Sequence, residues 1–189
     1  MEIVETEIPG VYLIRLAARE DERGYFMRTY DREIFARHGL ETEWVQENQS
    51  RSVIQGTLRG LHFQRGQAAE TKLVRVLSGS VLDVAVDIRK GSPTFGRHVC
   101  AELSAENRTA LYIPRGFAHG FCTLAPNSVV SYKVDNFYSP ELEGGLLWSD
   151  PLLNIRWPMP GEPACLSEKD KTWPALAGLE PVDPAAFRK

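Results

Sequence analysis

The residues best suited to chemistry fall in two short runs, Arg59-Gly60-Leu61-His62-Phe63-Gln64 and Pro114-Arg115-Gly116-Phe117-Ala118-His119-Gly120-Phe121. Each sets a histidine beside glycine in a strand-like context, so two imidazoles can face the lumen of a small β-barrel. A metal-binding barrel of this kind needs His-x-His and a following glutamate in its first run, then a histidine in its second. The position two after His62 is Gln64, a poor transition-metal ligand, and Glu70 lies too far along to complete the set. Two imidazoles leave a metal under-coordinated, so zinc or iron chemistry is disfavoured, and neither metal nor cofactor is expected. What remains for an imidazole is proton transfer. A glycine-rich phosphate loop and a GxSxG elbow are both absent, which removes nucleotide hydrolysis and serine-ester chemistry.

Those runs need elements to hold them. At 189 residues the chain can bury a core of its own, and a single domain over 1–189 is expected. A formal charge of -3 gives no reason to expect nucleic acid or an anionic membrane as partner. Cys100, Cys122 and Cys165 are odd in number, widely spaced and without a CxxC pair, so they read as reduced thiols of a cytoplasmic protein. The start Met1-Glu2-Ile3-Val4-Glu5 has neither the basic nor the apolar part of a signal peptide, and no segment suits a membrane span.

Strand signals dominate. Residues 11–16 alternate weakly after Pro9-Gly10. A helix is predicted over 31–39, capped by Asp31, with Ile34 and Phe35 apolar and Gly39 ending it. From about 44 to 137, short β-rich runs are cut by Ser78-Gly79, Gly91-Ser92-Pro93 and Pro126-Asn127, the spacing of an antiparallel sandwich or barrel. Over 81–88, Leu82, Val84, Val86 and Ile88 share one face, and Asp83 and Asp87 lie on the other. Those acids fit either a polar lumen or a solvated outer face. After Pro158 a turn-rich C-terminal extension, about 160–189, is expected to carry one short helix near Ser167.

Further segments join the two histidine runs: Asp21-Glu22-Arg23-Gly24-Tyr25-Phe26, Gln46-Glu47-Asn48, Lys72-Leu73-Val74, Ser92-Pro93-Thr94-Phe95-Gly96, Tyr132, Tyr138-Ser139-Pro140, Glu143-Gly144, Trp157-Pro158 and Leu166-Ser167-Glu168-Lys169-Asp170. Taken in order over most of the chain, they resemble the dTDP-4-dehydrorhamnose 3,5-epimerase family. The resemblance implies a mainly β, double-stranded β-helix (cupin, jelly-roll) fold and metal-free inversion of C3 and C5 beside a sugar ketone, supplying L-rhamnose synthesis. It assigns His62 as base, Asp170 as its carboxylate partner and Tyr132 as proton donor on the far ring face. Lys72 and Arg59 would stabilise the developing enolate and bound substrate, with His119 lining the same pocket.

Each role has a plainer competitor. Ser167-Glu168-Lys169-Asp170 fits an S-x-x-D capping box. Tyr132 could be strand packing, Lys72 a surface cation, and His119 a structural histidine at a glycine-flanked bend. Strict alternation also puts Arg59 on the strand face opposite His62. Either Arg59 curls in from the strand mouth, the favoured reading, or a bulge at Gly60 resets the phase.

The implied substrate is dTDP-4-dehydro-6-deoxy-D-glucose. By resemblance, Arg23 and Arg59 meet the diphosphate and Tyr138 stacks on thymine. Gln46, Glu47, Asn48, Glu143 and Lys169 make further contacts, and Phe26 arrives from the neighbouring subunit of a homodimer. Arg28 departs from the family, standing where many members have glutamate, as do Glu47 for aspartate and Gln49 for histidine. The rivals are a single-centre epimerase for another nucleotide deoxysugar and a non-catalytic nucleotide-sugar-binding cupin.

Overall fold

The computed structural model describes residues 1–159 and 161–187, and side-chain alternation along short strands builds two antiparallel sheets laid face to face. In chain order come β1 Glu2–Glu5, β2 Tyr12–Arg15, β3 Ala18–Asp21, β4 Gly24–Met27, helix α1 Arg32–Arg37, β5 Gln46–Ser52, β6 Leu58–Gln64, β7 Lys72–Ser78, β8 Ser80–Asp87, β9 His98–Ser104, β10 Thr109–Ile113, β11 Phe117–Thr123, β12 Ser128–Val134 and β13 Glu143–Gly145. One sheet runs β1-β2-β10-β7-β12-β5, the other β13-β6-β11-β8-β9, and β3-β4 is a separate hairpin. The fold is the mainly β double-stranded β-helix that the resemblance implies. Its sheets also draw on β1, β2 and β13, which lie outside residues 44–137.

Three apolar layers hold this frame. Between the sheets, Val74, Leu111, Ile113 and Val130 of the first meet Val81, Ala85, Leu103, Phe117 and Phe121 of the second. Behind the second sheet, Leu61, Phe63, Val84, Val86, Ile88 and Ala118 are roofed by Leu146, Leu153, Leu179 and Val182 from the C-terminal segment. Behind the first, Ile14, Leu73, Ala110 and Tyr112 pack on Phe35 of α1 and on Leu40. Helix α1 forms as its residues predict. The Asp31 carboxylate accepts from the Glu33 and Ile34 amides at 3.1 and 3.2 Å, and Gly39 takes φ +68° just past the end.

Strand β8 decides between the two readings of its acids. Asp83 and Asp87 are both fully buried, so they face the interior, while Val84, Val86 and Ile88 face the C-terminal roof. Asp87 accepts from Arg89 Nε at 2.9 Å, Ser92 Oγ at 2.6 Å and Thr94 Oγ1 at 2.6 Å, which ties down the turn into β9. Burial pushes its carboxyl up, but these donors outweigh that and hold it below the ordinary carboxylate range. Cys100, Cys122 and Cys165 are free thiols. No helix among the described residues is long and apolar enough to cross a membrane.

Candidate active site

His62 faces inward from the middle of β6 because its neighbours Leu61 and Phe63 are claimed by the apolar layer on the other side. The β6–β11 register then slips: His119 lies opposite His62, but Phe121 lies opposite Arg59. Three steps along β6 therefore match two along β11, a bulge at Gly60 that brings Arg59 onto the His62 face. This corrects the strand-mouth reading of Arg59. Gly60 has φ +137°, and a Cβ there would lie 2.5 Å from Gly120 Cα, so the bulge requires glycine on both strands. Arg59 is steadied by its Nε donating to Ser52 Oγ at 3.2 Å.

Asp170 reaches the site from a 3-10 turn, Lys169–Lys171, the short helix expected near Ser167. Its backbone N–H donates to Ser167 Oγ at 3.1 Å, so the serine half of the capping box forms. The Asp170 carboxylate does not turn back to complete the box. Oδ1 instead accepts from His62 Nε2 at 2.5 Å, and Oδ2 from the Gly60 amide at 3.4 Å. Burial raises its pKa, but the hydrogen bond and charge of His62, with Gly60 and Ser167, bring it below the usual range. An ionised carboxylate can only accept, so Nε2 donates, and in the neutral imidazole this leaves the lone pair on Nδ1.

The opposite wall comes from the other sheet. Lys72 opens β7, is 8% exposed, and its Nζ lies 3.2 Å from Glu70 Oε1. Tyr132, on β12, is half-buried; burial chiefly, with the Glu70 charge and against that of Arg59, raises its phenol above the usual tyrosine value. His119, beside His62, bonds through Nε2 to Asp83 Oδ1 at 2.8 Å, while Asp83 Oδ2 has no hydrogen-bond partner among the described residues. Arg59, His62, Lys72, His119, Tyr132 and Asp170 line one cavity of about 400 Å³, together with Glu143 and Lys169. Ser50, Thr57, Phe121 and Cys165 also line it, though their residue types carried no signal of it in the sequence.

At the rim, Tyr138 Oη donates to Glu143 Oε2 at 2.7 Å, and Lys169 Nζ pairs with the same oxygen. That bond to Glu143 pushes the Tyr138 phenol up to about 12, and the ring itself stays 53% exposed, free to be stacked upon. Pairing of β5 with β12 sets Asn48 opposite Tyr132 and Gln46 opposite Val134, on the face that carries Ser50 to the cavity. Gln46 Oε1 accepts from the Tyr138 amide at 3.0 Å. Glu47, expected beside the substrate, lies outside this cavity: a period of two turns it to the other side of the sheet, where it bonds Lys133 at 2.7 Å and Ser131 at 3.1 Å. Arg23 and Phe26 sit on the β3–β4 hairpin and line no part of their own chain's cavity. Arg23 pairs with Asp21, and Phe26 is 69% exposed. Arg28 bonds Asp31 at 2.8 Å.

Among the described residues no group of three or more His, Cys, Asp or Glu could hold a metal ion. Gln64, in the place where a second metal-binding histidine would stand, accepts from the Ser139 amide at 3.2 Å. Two residues at the site went unread in the sequence: Glu70, seen there only as an inadequate metal ligand, which pairs with Lys72, and Trp173, which lies against His62 and Asp170. Trp173 is three residues past Asp170, so one helical turn brings it alongside, and that spacing was the available signal.

This arrangement of imidazole, carboxylate, cations and a facing phenol suits removal and return of a proton beside a carbonyl. The profile of the dTDP-4-dehydrorhamnose 3,5-epimerase family matches residues 5–178. A dTDP-4-dehydrorhamnose 3,5-epimerase of Shigella flexneri is 49% identical over 171 residues, covering 90% of this chain and 93% of that one. The crystal structure of the enzyme of that name from Elizabethkingia anophelis is 48% identical with a TM-score of 0.88, over 93% of this chain and 96% of its own. A Legionella pneumophila dTDP-6-deoxy-D-glucose-3,5-epimerase, solved in complex with dTDP-4-keto-L-rhamnose, is 41% identical with a TM-score of 0.89, over 95% of this chain and 94% of its own.

Proposed function

Since this chain belongs to the dTDP-4-dehydrorhamnose 3,5-epimerase family, we propose that its cavity inverts C3 and C5 of dTDP-4-dehydro-6-deoxy-D-glucose, an isomerase step of L-rhamnose synthesis. The observation that carries the mechanism is the division of the site between two walls. His62 and Asp170 stand on the side of one sheet, Tyr132 and Lys72 on the other. A sugar ring held between them is approached on both faces, which is what inversion requires.

His62 Nδ1 takes the proton from carbon, and the imidazolium is stabilised by the Asp170 carboxylate against its other nitrogen. Electrons flow into the carbonyl, where the enolate oxygen is met by the positive charge of Lys72 and Arg59. Tyr132, kept protonated by burial, returns a proton to the opposite face. His119, held by Asp83, packs beside the base.

Arg23 and Phe26 complete the site from a neighbouring subunit of a homodimer, an assembly consistent with their exposure on a hairpin away from their own cavity. Arg59 and Arg23 meet the diphosphate, Tyr138 stacks on thymine, and Gln46, Asn48, Glu143 and Lys169 make polar contacts around them. A cytoplasmic location suits the three free thiols.

Turnover of the keto-sugar nucleotide in D₂O, followed by NMR, tests the reading: deuterium is expected at both carbons of the product. Exchange at one carbon would reassign the protein as a single-centre epimerase, and exchange at neither would leave it a binding protein. His62→Ala should still bind the nucleotide sugar while turnover drops ~10²–10⁴-fold, the scale of general acid–base catalysis. Unchanged turnover would reject His62 as the base.

A further inference from the structure

We propose that Trp173 is a positioning residue for the His62–Asp170 pair, its indole N–H sharing Asp170 Oδ1 with the imidazole and limiting how tightly that oxygen holds the imidazolium. This rests on the epimerase reading above and extends it to a residue the mechanism has not used.

Asp170 Oδ1 receives two donors, His62 Nε2 at 2.5 Å and Trp173 Nε1 at 3.3 Å. The indole also meets the imidazole edge-on, with ring centres 6.3 Å apart at 68°. Its own seat is tightly made. Gly145, paired directly with His62 across β13 and β6, leaves no room for a side chain: a Cβ there would come within 2.1 Å of Trp173 Cδ2 and Cε2. The Lys169 ammonium lies 5.4 Å from the ring centre on a cation–π contact, and the Pro174 carbonyl accepts from the Leu147 amide at 2.9 Å. The ring therefore cannot drift without disturbing the strand beside the base.

An indole N–H donates and never accepts, so it favours the ionised form of Asp170. It also draws on the electron density of the same oxygen that faces the imidazole. With that donor present the carboxylate keeps His62 in one tautomer, yet stabilises the imidazolium less than an oxygen devoted to it alone. Remove the donor and the imidazolium is held more firmly, so a higher pH is needed to free the base. The other charged or titratable groups around the pair are Glu143 and Lys169 at the rim, Arg59 on the same strand, Lys72, Glu70 and Tyr132 from the facing sheet, and His119 with Asp83 alongside. A change confined to the indole N–H leaves all of these in place.

Trp173→Phe removes the N–H and keeps a ring against Gly145 and Lys169. With the sugar nucleotide as substrate, the acidic limb of kcat/KM against pH is expected to move up by about half a pH unit, with KM little changed. A profile that superimposes on the unaltered enzyme overturns the proposal. Should the variant fail to fold, the unaltered protein decides: the Trp173 indole ¹⁵N–¹H signal, assigned by triple resonance, should titrate with the midpoint of that acidic limb. A signal that stays fixed through the limb also overturns it. An active parent with an unshifted variant sinks this inference alone, whereas a parent lacking exchange at carbon sinks the epimerase reading.

Discussion

Asp170 carries two competing readings in one side chain, and the geometry divides them between its amide and its carboxylate. The amide is capped by Ser167 and the carboxylate turns to His62, so the local pattern was correct about the turn and silent about the function. Asp170→Asn keeps the shape but loses the charge that fixes the imidazole tautomer. Its kcat is expected to fall at least ~10²-fold with modest change in KM, in steady-state assays near neutral pH. Tyr132→Phe separates the two halves of the reaction. With the base intact and no donor on the far face, deuterium should enter the recovered substrate from D₂O while little inverted product forms. Inversion at the parent rate would remove Tyr132 from the mechanism. Because burial raises the Tyr132 phenol, its ionisation should cause no loss of activity below about pH 10, the ordinary tyrosine value.

At the scale of elements, the decisive feature is the phase of β6. Period-two alternation correctly separated His62 from Leu61 and Phe63, but it could not say where the ladder slips. That slip depends on β11, whose Gly120 lets the two backbones close on one another. Gly60→Ala should therefore lose more than about 2 kcal/mol in urea unfolding, from the backbone clash and the positive φ together. It should also lose activity by moving Arg59. On β8 the alternation was legible, yet burial of Asp83 and Asp87 was not, because a polar lumen and a wet outer face share one pattern. Asp87→Ala is expected to cost about 3–5 kcal/mol, since Arg89 would be left without its buried partner. The sign with pH follows. Asp87 has a lowered folded pKa, so its contribution is complete above the ordinary carboxylate range and fades as pH falls through that folded value. Unfolding of the parent protein below about pH 4 should show this loss, and the Asp87→Ala protein should lack that part of it.

For the whole molecule, the shared-subunit proposal makes a complementation test possible. An Arg23→Ala/Phe26→Ala protein keeps its own dyad, while His62→Ala keeps its hairpin. Mixing them with subunit exchange should restore up to about a quarter of the parent activity per chain, since half of randomly paired dimers hold one intact site. Activity that stays at the sum of the two parents would show the cavity to be complete within one chain.

The chain order of residues determined the strands between about 44 and 137, the capped helix α1, the turns at Gly79 and Asn127, and the poverty of metal ligands, because each depends on neighbours a few positions away. The family motifs carried the likeness to an epimerase on residue identities alone. Only the tertiary structure decided that a slipped register turns Arg59 onto the His62 face, that Glu47 faces away, and that an indole shares the Asp170 carboxylate. The physical reason is range. Alternation and capping are set by local backbone geometry, whereas register slips and the convergence of side chains from two sheets arise when distant segments compete for the same buried space.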